Sequence, residues 1–98
     1  MQDTVYTRDQ MRELRIMTQE YEFNVEEGFF SARLDLKAEG QSGTLRVFFT
    51  FDDGRKIVAP VYWWKRYLGF YEIPVGSRLL LTYTRCSHGV FLTEAKQL

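Results

Sequence analysis

Apolar and polar residues alternate along much of this chain, and the alternation predicts strands. From Ile16 onward, Met17, Tyr21, Phe23 and Val25 interleave with Thr18, Glu20, Glu22 and Asn24, the period-two pattern of a half-buried strand. A turn centred on Glu27-Gly28 pairs Val25 with Phe30, Phe23 with Ala32, Tyr21 with Leu34 and Met17 with Ala38, so all the apolar partners share one face. On the other face this register sets Glu22 against Arg33 and Thr18 against Lys37, with Glu20 and Asp35 as a like-charge pair. Gly40-Gln41-Ser42-Gly43 predicts the next turn, pairing Ala38 with Leu45, Leu36 with Val47 and Leu34 with Phe49. Asp53-Gly54 is a strong hairpin signal that brings Val58 beside Phe49 and Ile57 beside Thr50. The expectation is a meander of four strands over 16–25, 29–38, 44–52 and 55–59.

The flanking segments read differently. Thr7 and Gln10 have the spacing of a capping box, and Tyr6 can pack on Met11 as a staple. A short helix over 6–14 follows, with residues 1–5 frayed. Further on, Pro60 and Gly69 bracket VYWWKRYL, which predicts a short helix from Pro60 to Leu68. In that helix Trp63 and Tyr67 share one face, Trp64 and Leu68 the next, and Lys65 and Arg66 project elsewhere. The link Glu72–Gly76 leads into a final hairpin over 77–84 and 89–95, around Arg85-Cys86-Ser87-His88. Its loop length leaves two registers open; Leu79, Leu81 and Tyr83 form a candidate core face, and 96–98 fray.

The predicted fold is mainly β and a single domain over 1–98: a small antiparallel β-barrel or rolled sheet of about six strands, with a short N-terminal helix and a short helix before the final hairpin. Closure into a barrel would remove exposed edges. The order strand, strand, strand, helix, strand, strand resembles that of an OB-fold if 55–59 is counted as accessory. That resemblance concerns topology and carries no function by itself.

Composition narrows the range of functions. The 98 residues include 13 basic and 13 acidic side chains, so no overall field draws the chain to nucleic acid or to an anionic membrane. Cys86 is the one cysteine, which excludes an internal disulfide and fits a cytoplasmic setting. The N-terminal residues lack a leader pattern, and no apolar run reaches membrane length.

Few groups offer chemistry. Cys86 and His88 share a loop, yet no neighbouring residue supplies an orienting carboxylate or an oxyanion hole. One cysteine and one histidine fall short of a zinc set, and the adjacent acids Asp52-Asp53 and Glu26-Glu27 read as solvated turn residues. No phosphate-binding glycine motif occurs. The expectation is therefore a chain with no catalytic residues, no metal and no cofactor.

Binding surfaces remain. Tyr62, Trp63, Trp64, Tyr67, Phe70 and Tyr71 are more rings than one short helix can bury on a single side, and tyrosine, tryptophan and arginine dominate protein interfaces. The leading expectation is a non-enzymatic binding module that contacts a protein partner or a second copy of itself through Trp64, Arg66, Tyr67 and Tyr71. The alternative is an OB-like single-stranded nucleic-acid binder using Arg33, Lys37, Arg46 and Phe48 on the outer sheet face, extended by Lys65. A third surface is a small-molecule pocket between Trp63 and Tyr83. Rings that instead plug the sheet would leave both tryptophans shielded.

Overall fold

The computed structural model describes residues 4–98 and holds six strands in one sheet. In chain order the elements are β1 (Val5–Tyr6), α1 (Arg8–Glu13), α2 (Arg15–Thr18), β2 (Gly28–Glu39), β3 (Thr44–Phe51) and β4 (Lys56–Tyr62), then a 3₁₀ segment (Trp63–Gly69), β5 (Arg78–Cys86) and β6 (Gly89–Gln97). The strands run β4-β3-β2-β5-β6, all antiparallel, and β1 adds to β2 in parallel. The mainly β expectation therefore holds. Closure does not: β4 and β6 are edges with no ladder between them, so the sheet rolls without becoming a barrel.

The helix start follows the sequence reading. The Thr7 hydroxyl accepts from the Gln10 N–H at 3.2 Å, and the Gln10 side chain accepts from the Thr7 N–H at 2.8 Å. Met11 is buried and Tyr6 packs in the same cluster. The expectation of frayed residues fails at Val5, which pairs with Lys37; residues 1–3 lie outside those described. At the other end β6 runs to Gln97, and the Leu98 N–H donates to the Arg78 carbonyl.

The expected first strand over 16–25 is not formed. Its place beside β2 is taken by β5, which sets Leu81 against Phe30 and Leu79 against Ala32. Both leucines are fully buried, whereas the alternation over 16–25 is broken by polar Gln19. A strand with unbroken apolar alternation buries more area in that position. The 16–25 stretch instead begins as α2 and then runs beside β4, where Glu22 exchanges main-chain hydrogen bonds with Lys56 and Val58. Phe23 and Met17 end up on the surface.

The registers of the central strands show why the faces differ from expectation. Leu34 faces Phe49 as predicted, but the β2–β3 ladder then shifts, so that Leu36 faces Phe48 and Lys37 faces Val47. This is a bulge at Asp35, and it turns both Asp35 and Leu36 to the outer face. The Asp35 carboxylate fixes the bulge by accepting from the Tyr21 hydroxyl at 2.7 Å, the Thr50 hydroxyl at 2.5 Å and Arg33 Nε at 3.0 Å. Past the bulge the parity inverts. Lys37 points inward and is fully buried, with Nζ donating to the carbonyls of Phe70 at 3.0 Å and Ile73 at 2.9 Å.

The Asp53-Gly54 turn is one residue longer than expected. Phe51 N–H meets the Arg55 carbonyl at 2.8 Å across a three-residue loop, with Gly54 at φ 93°, the geometry of a type I turn followed by a left-handed glycine. Ile57 therefore faces Phe49 in the core, and Val58 faces Phe48 on the outer side. β4 continues through Pro60 to Tyr62, so the expected helix does not begin at Pro60. Proline is tolerated there because β4 is an edge. The last hairpin closes on a two-residue turn, Ser87-His88, with Cys86 opposite Gly89.

Two apolar clusters result. The inner one gathers Leu34, Val47, Phe49, Ile57, Phe70, Leu79 and Leu81, with Val90, Leu92 and Ala95 of β6 packed against it. The outer one is Met11, Ala38, Phe48 and Val58, covered by Tyr6, Leu14 and Tyr21.

Replacing Lys37 by methionine keeps most of the side-chain volume but leaves two buried carbonyls without this donor. The expected loss is roughly 2–4 kcal/mol of unfolding free energy, read from urea unfolding; a change within about 0.5 kcal/mol would contradict the anchoring role. A second expectation concerns acid. Hydrogen bonding to the Arg55 side chain holds Glu26 below the usual carboxylate range, and the Arg55 main-chain N–H does the same for Asp53, aided by its guanidinium. A depressed folded-state pKa gives stability that is present above the ordinary value near 4 and lost as pH falls through the lowered one. Arg55→Met removes the guanidinium and keeps the main-chain N–H, so it should flatten the part of the acid limb that Glu26 contributes, and an unchanged limb would refute the assignment.

Candidate functional site

The ring-rich stretch divides by side. Phe70 is fully buried against Phe49, with ring centroids 5.6 Å apart, and Tyr67 and Leu68 are half-buried against the inner cluster. Trp63 is 61% exposed, Trp64 57% and Tyr71 49%. The rings are therefore neither a complete plug nor a free surface, and both indoles stand outside.

The backbone explains the division. After Trp63 and Trp64 the 3₁₀ segment turns left-handed, with φ of 52° at Arg66, 51° at Tyr67, 53° at Leu68 and 81° at Gly69. Each non-glycine residue in this region costs on the order of 1–2 kcal/mol, so the surrounding contacts must hold the turn in place. They lie on its far side, where the Phe70 N–H donates to the Tyr67 carbonyl, the Glu72 N–H donates to the Gly69 carbonyl, and Lys37 ties Phe70 and Ile73 to β2. On the near side the Trp63 N–H donates to the Gly43 carbonyl at 3.2 Å. A Cβ at Gly43 would come within 2.8 Å of the Trp63 indole, so glycine there leaves room for that ring beside the β2–β3 turn.

The exposed rings pack on one another. Tyr62 stacks on Trp64 at 4.4 Å, Trp63 meets Trp64 edge-on at 5.9 Å, and Tyr67 meets Tyr71 edge-on at 4.9 Å. These offset and edge-on arrangements are the ones that aromatic pairs prefer. Burial raises the Tyr71 hydroxyl pKa above the ordinary value, with further contributions from Tyr67 and Glu39.

Beside Trp64 the two sheet edges approach without pairing, and an open cleft of about 420 Å³ lies between them. Its walls are Pro60, Tyr62, Trp64 and Leu68 on one side and Phe91 and Leu92 of β6 on the other, with Lys65 as its one charged lining residue. A second cleft of about 270 Å³ continues along Pro60, Phe91 and Leu92 toward Phe23, Tyr83 and His88. Tyr83 is buried, its hydroxyl has no hydrogen-bond partner among the described residues, and burial raises its pKa.

Several expected site residues are placed apart. Of Trp64, Arg66, Tyr67 and Tyr71, all lie on or beside the Trp63–Gly69 segment, but Tyr67 is half-buried and serves as support for Tyr71. The nucleic-acid set is not brought together. Lys37 is inside, because the bulge inverts its parity, and Phe48 lies under α1 and Tyr21, 5.1 Å from the Tyr21 ring. Arg33 is exposed and paired with Asp35, while Arg46 is half-buried and donates to the Glu39 carbonyl. Lys65 stands with the rings at the cleft. Trp63 and Tyr83 do not share a pocket: the two clefts form one seam between β4 and β6, with the cleft at Trp64 its upper part, Tyr83 lines the lower part, and Trp63 lines neither. Phe91 and Leu92 were not singled out from sequence, although VFL in β6 is the apolar run that points to them.

Among the described residues no hydrogen bond joins Cys86 to His88. Cys86 Sγ lies 3.7 Å from the Thr84 carbonyl, and both residues are exposed on the β5–β6 turn. Among the described residues no three His, Cys, Asp or Glu side chains gather as a metal site. Among them, too, no helix is long and apolar enough to cross a membrane.

Acrylamide quenching of the folded chain should reach both indoles, with an emission maximum close to that of solvated tryptophan; two shielded indoles would contradict this placement. Compared with known proteins, the chain matches no family model, and no curated protein or solved structure matches it significantly.

Proposed function

We propose that this chain is a non-enzymatic binding module that contacts a protein partner through the aromatic face at Tyr62, Trp63, Trp64 and Tyr71, with Arg66 and Lys65 at its rim. The observation that carries the reading is the pair of exposed tryptophans on a strained, firmly anchored turn. A solvated turn with no role would not need left-handed residues held against their preference, and exposed contiguous rings mark interaction surfaces. The rings supply area at low cost in frozen torsions, and arginine supplies directional hydrogen bonds.

The order β2, β3, β4, 3₁₀ segment, β5, β6 supports an OB-like architecture in which the final ladder, between β4 and β6, is left open. On this reading β4 is a full member of the sheet and not an accessory. Phosphate-led binding has weaker support, since its expected cations and ring are dispersed.

Trp64→Ala should leave the chain folded, with thermal stability changed little, and weaken its association by at least about tenfold, the loss of one interface anchor. Tyr67→Ala should cost some stability as well, because its ring supports Tyr71. A Trp64→Ala chain that unfolds, or that associates as tightly as before, would refute the reading.

A further inference from the structure

The two sheet edges beside the aromatic face are not equivalent. β4 is blunted against a new strand from Lys56 to Pro60. Glu22 engages the outward Lys56 carbonyl and the outward Val58 N–H, and at Pro60 the strand has no N–H to donate. β6 has neither device. The Ser87-His88 turn fixes Cys86 and Gly89 as a closely paired set, so the intervening alternation turns the N–H and C=O groups of Val90 and Leu92 away from β5. They face the seam whose walls include Phe91, Leu92 and Trp64. The extra residue at Thr93, opposite the shift between Thr82 and Tyr83, ends this free stretch.

Charge narrows the occupant further. Lys65 is the one charged residue on the upper cleft, and no carboxylate lines either part of the seam among the described residues. Within the same residues neither Lys65 nor Arg66 has an ion-pair partner, whereas Glu20, Glu26, Glu27, Asp52 and Asp53 are each engaged by basic side chains elsewhere.

From these observations we infer that the seam receives an extended segment of a partner protein, added as a strand to the free edge of β6 at Val90 and Leu92. Alternate apolar side chains of the segment enter the cleft between Trp64 and Phe91, and an acidic residue meets Lys65. The main-chain bonds give affinity, and the cleft and the lysine give selectivity. This inference rests on the aromatic face being a protein-binding surface, and it names the partner's form.

The test is panning of the full chain against short random peptides displayed on phage, followed by binding and hydrogen-exchange measurements with the enriched peptides. Enriched sequences should alternate apolar and polar residues, carry Asp or Glu at one end, and slow exchange of the Val90 and Leu92 amides. Val90→Pro removes a seam-facing donor and should weaken binding by roughly 3–10-fold or more. Lys65→Glu, a fully surface change, should do likewise for the acidic peptides and spare variants of them with the acid neutralised. Peptides that need Trp64 but leave the Val90 and Leu92 amides unprotected would overturn strand addition while leaving the aromatic face as a protein-binding surface. No enrichment at all would also overturn it. Salt-sensitive binding of an oligonucleotide at Trp64, displacing the peptides, would overturn both readings.

Discussion

The inward turn of Lys37 is the constraint on which this structure depends. An ammonium group in an apolar interior is costly unless its hydrogen bonds are satisfied, and here Nζ reaches the carbonyls of Phe70 and Ile73. Those carbonyls belong to a connection that leaves a left-handed turn and has few ladder bonds of its own. Lysine thus does for the connection what a strand neighbour does for a strand. The position exists because Asp35 bulges outward, held by Tyr21, Thr50 and Arg33. One carboxylate on the outer face therefore decides which side chain enters the inner one.

The aromatic face follows from that anchor. With Phe70 seated beside Phe49 and the following residues tied to β2, the preceding turn cannot relax inward, and Trp63 and Trp64 remain outside. The same turn separates the ends of β4 and β5, so that β6, carried back along β5, approaches β4 without pairing to it. An open seam and a ring cluster are thus neighbours by construction. The sheet gives up a final ladder and keeps an edge, which natural proteins usually cover or blunt. On β4 that protection is visible in Glu22 and Pro60. On β6 the stretch from Gly89 to Leu92 lacks it, and this asymmetry gives the proposed strand addition its direction.

Much of the fold was legible in the sequence where local chemistry decides it. The Thr7–Gln10 capping box, the strands at 28–39 and 44–51, and the Leu79, Leu81 and Tyr83 core face all appear where the pattern places them. The errors lie where a choice between partners decides. Alternation over 16–25 is compatible with pairing to β2, but β5 is the better competitor, and only the assembled sheet reveals the competition. No motif marks the Asp35 bulge, and Asp53-Gly54 signals a turn without fixing its length, yet each shifts parity by one residue. That single step moved Lys37 inside and Val58 outside, and so dispersed the expected basic face. The exposure of Trp63, Trp64 and Tyr71 was legible because the excess of rings over available core volume is a matter of composition and does not depend on register.

Lys37 holds the connection behind the exposed rings through the Phe70 and Ile73 carbonyls. Solution NMR of the Lys37 side-chain amine tests it most directly. The Nζ protons of Lys37 should exchange slowly and show nuclear Overhauser contacts to Phe70 and Ile73, in contrast to the surface amine of Lys65. A Lys37 amine that exchanges as fast as that of Lys65, with no contact to either residue, would contradict it.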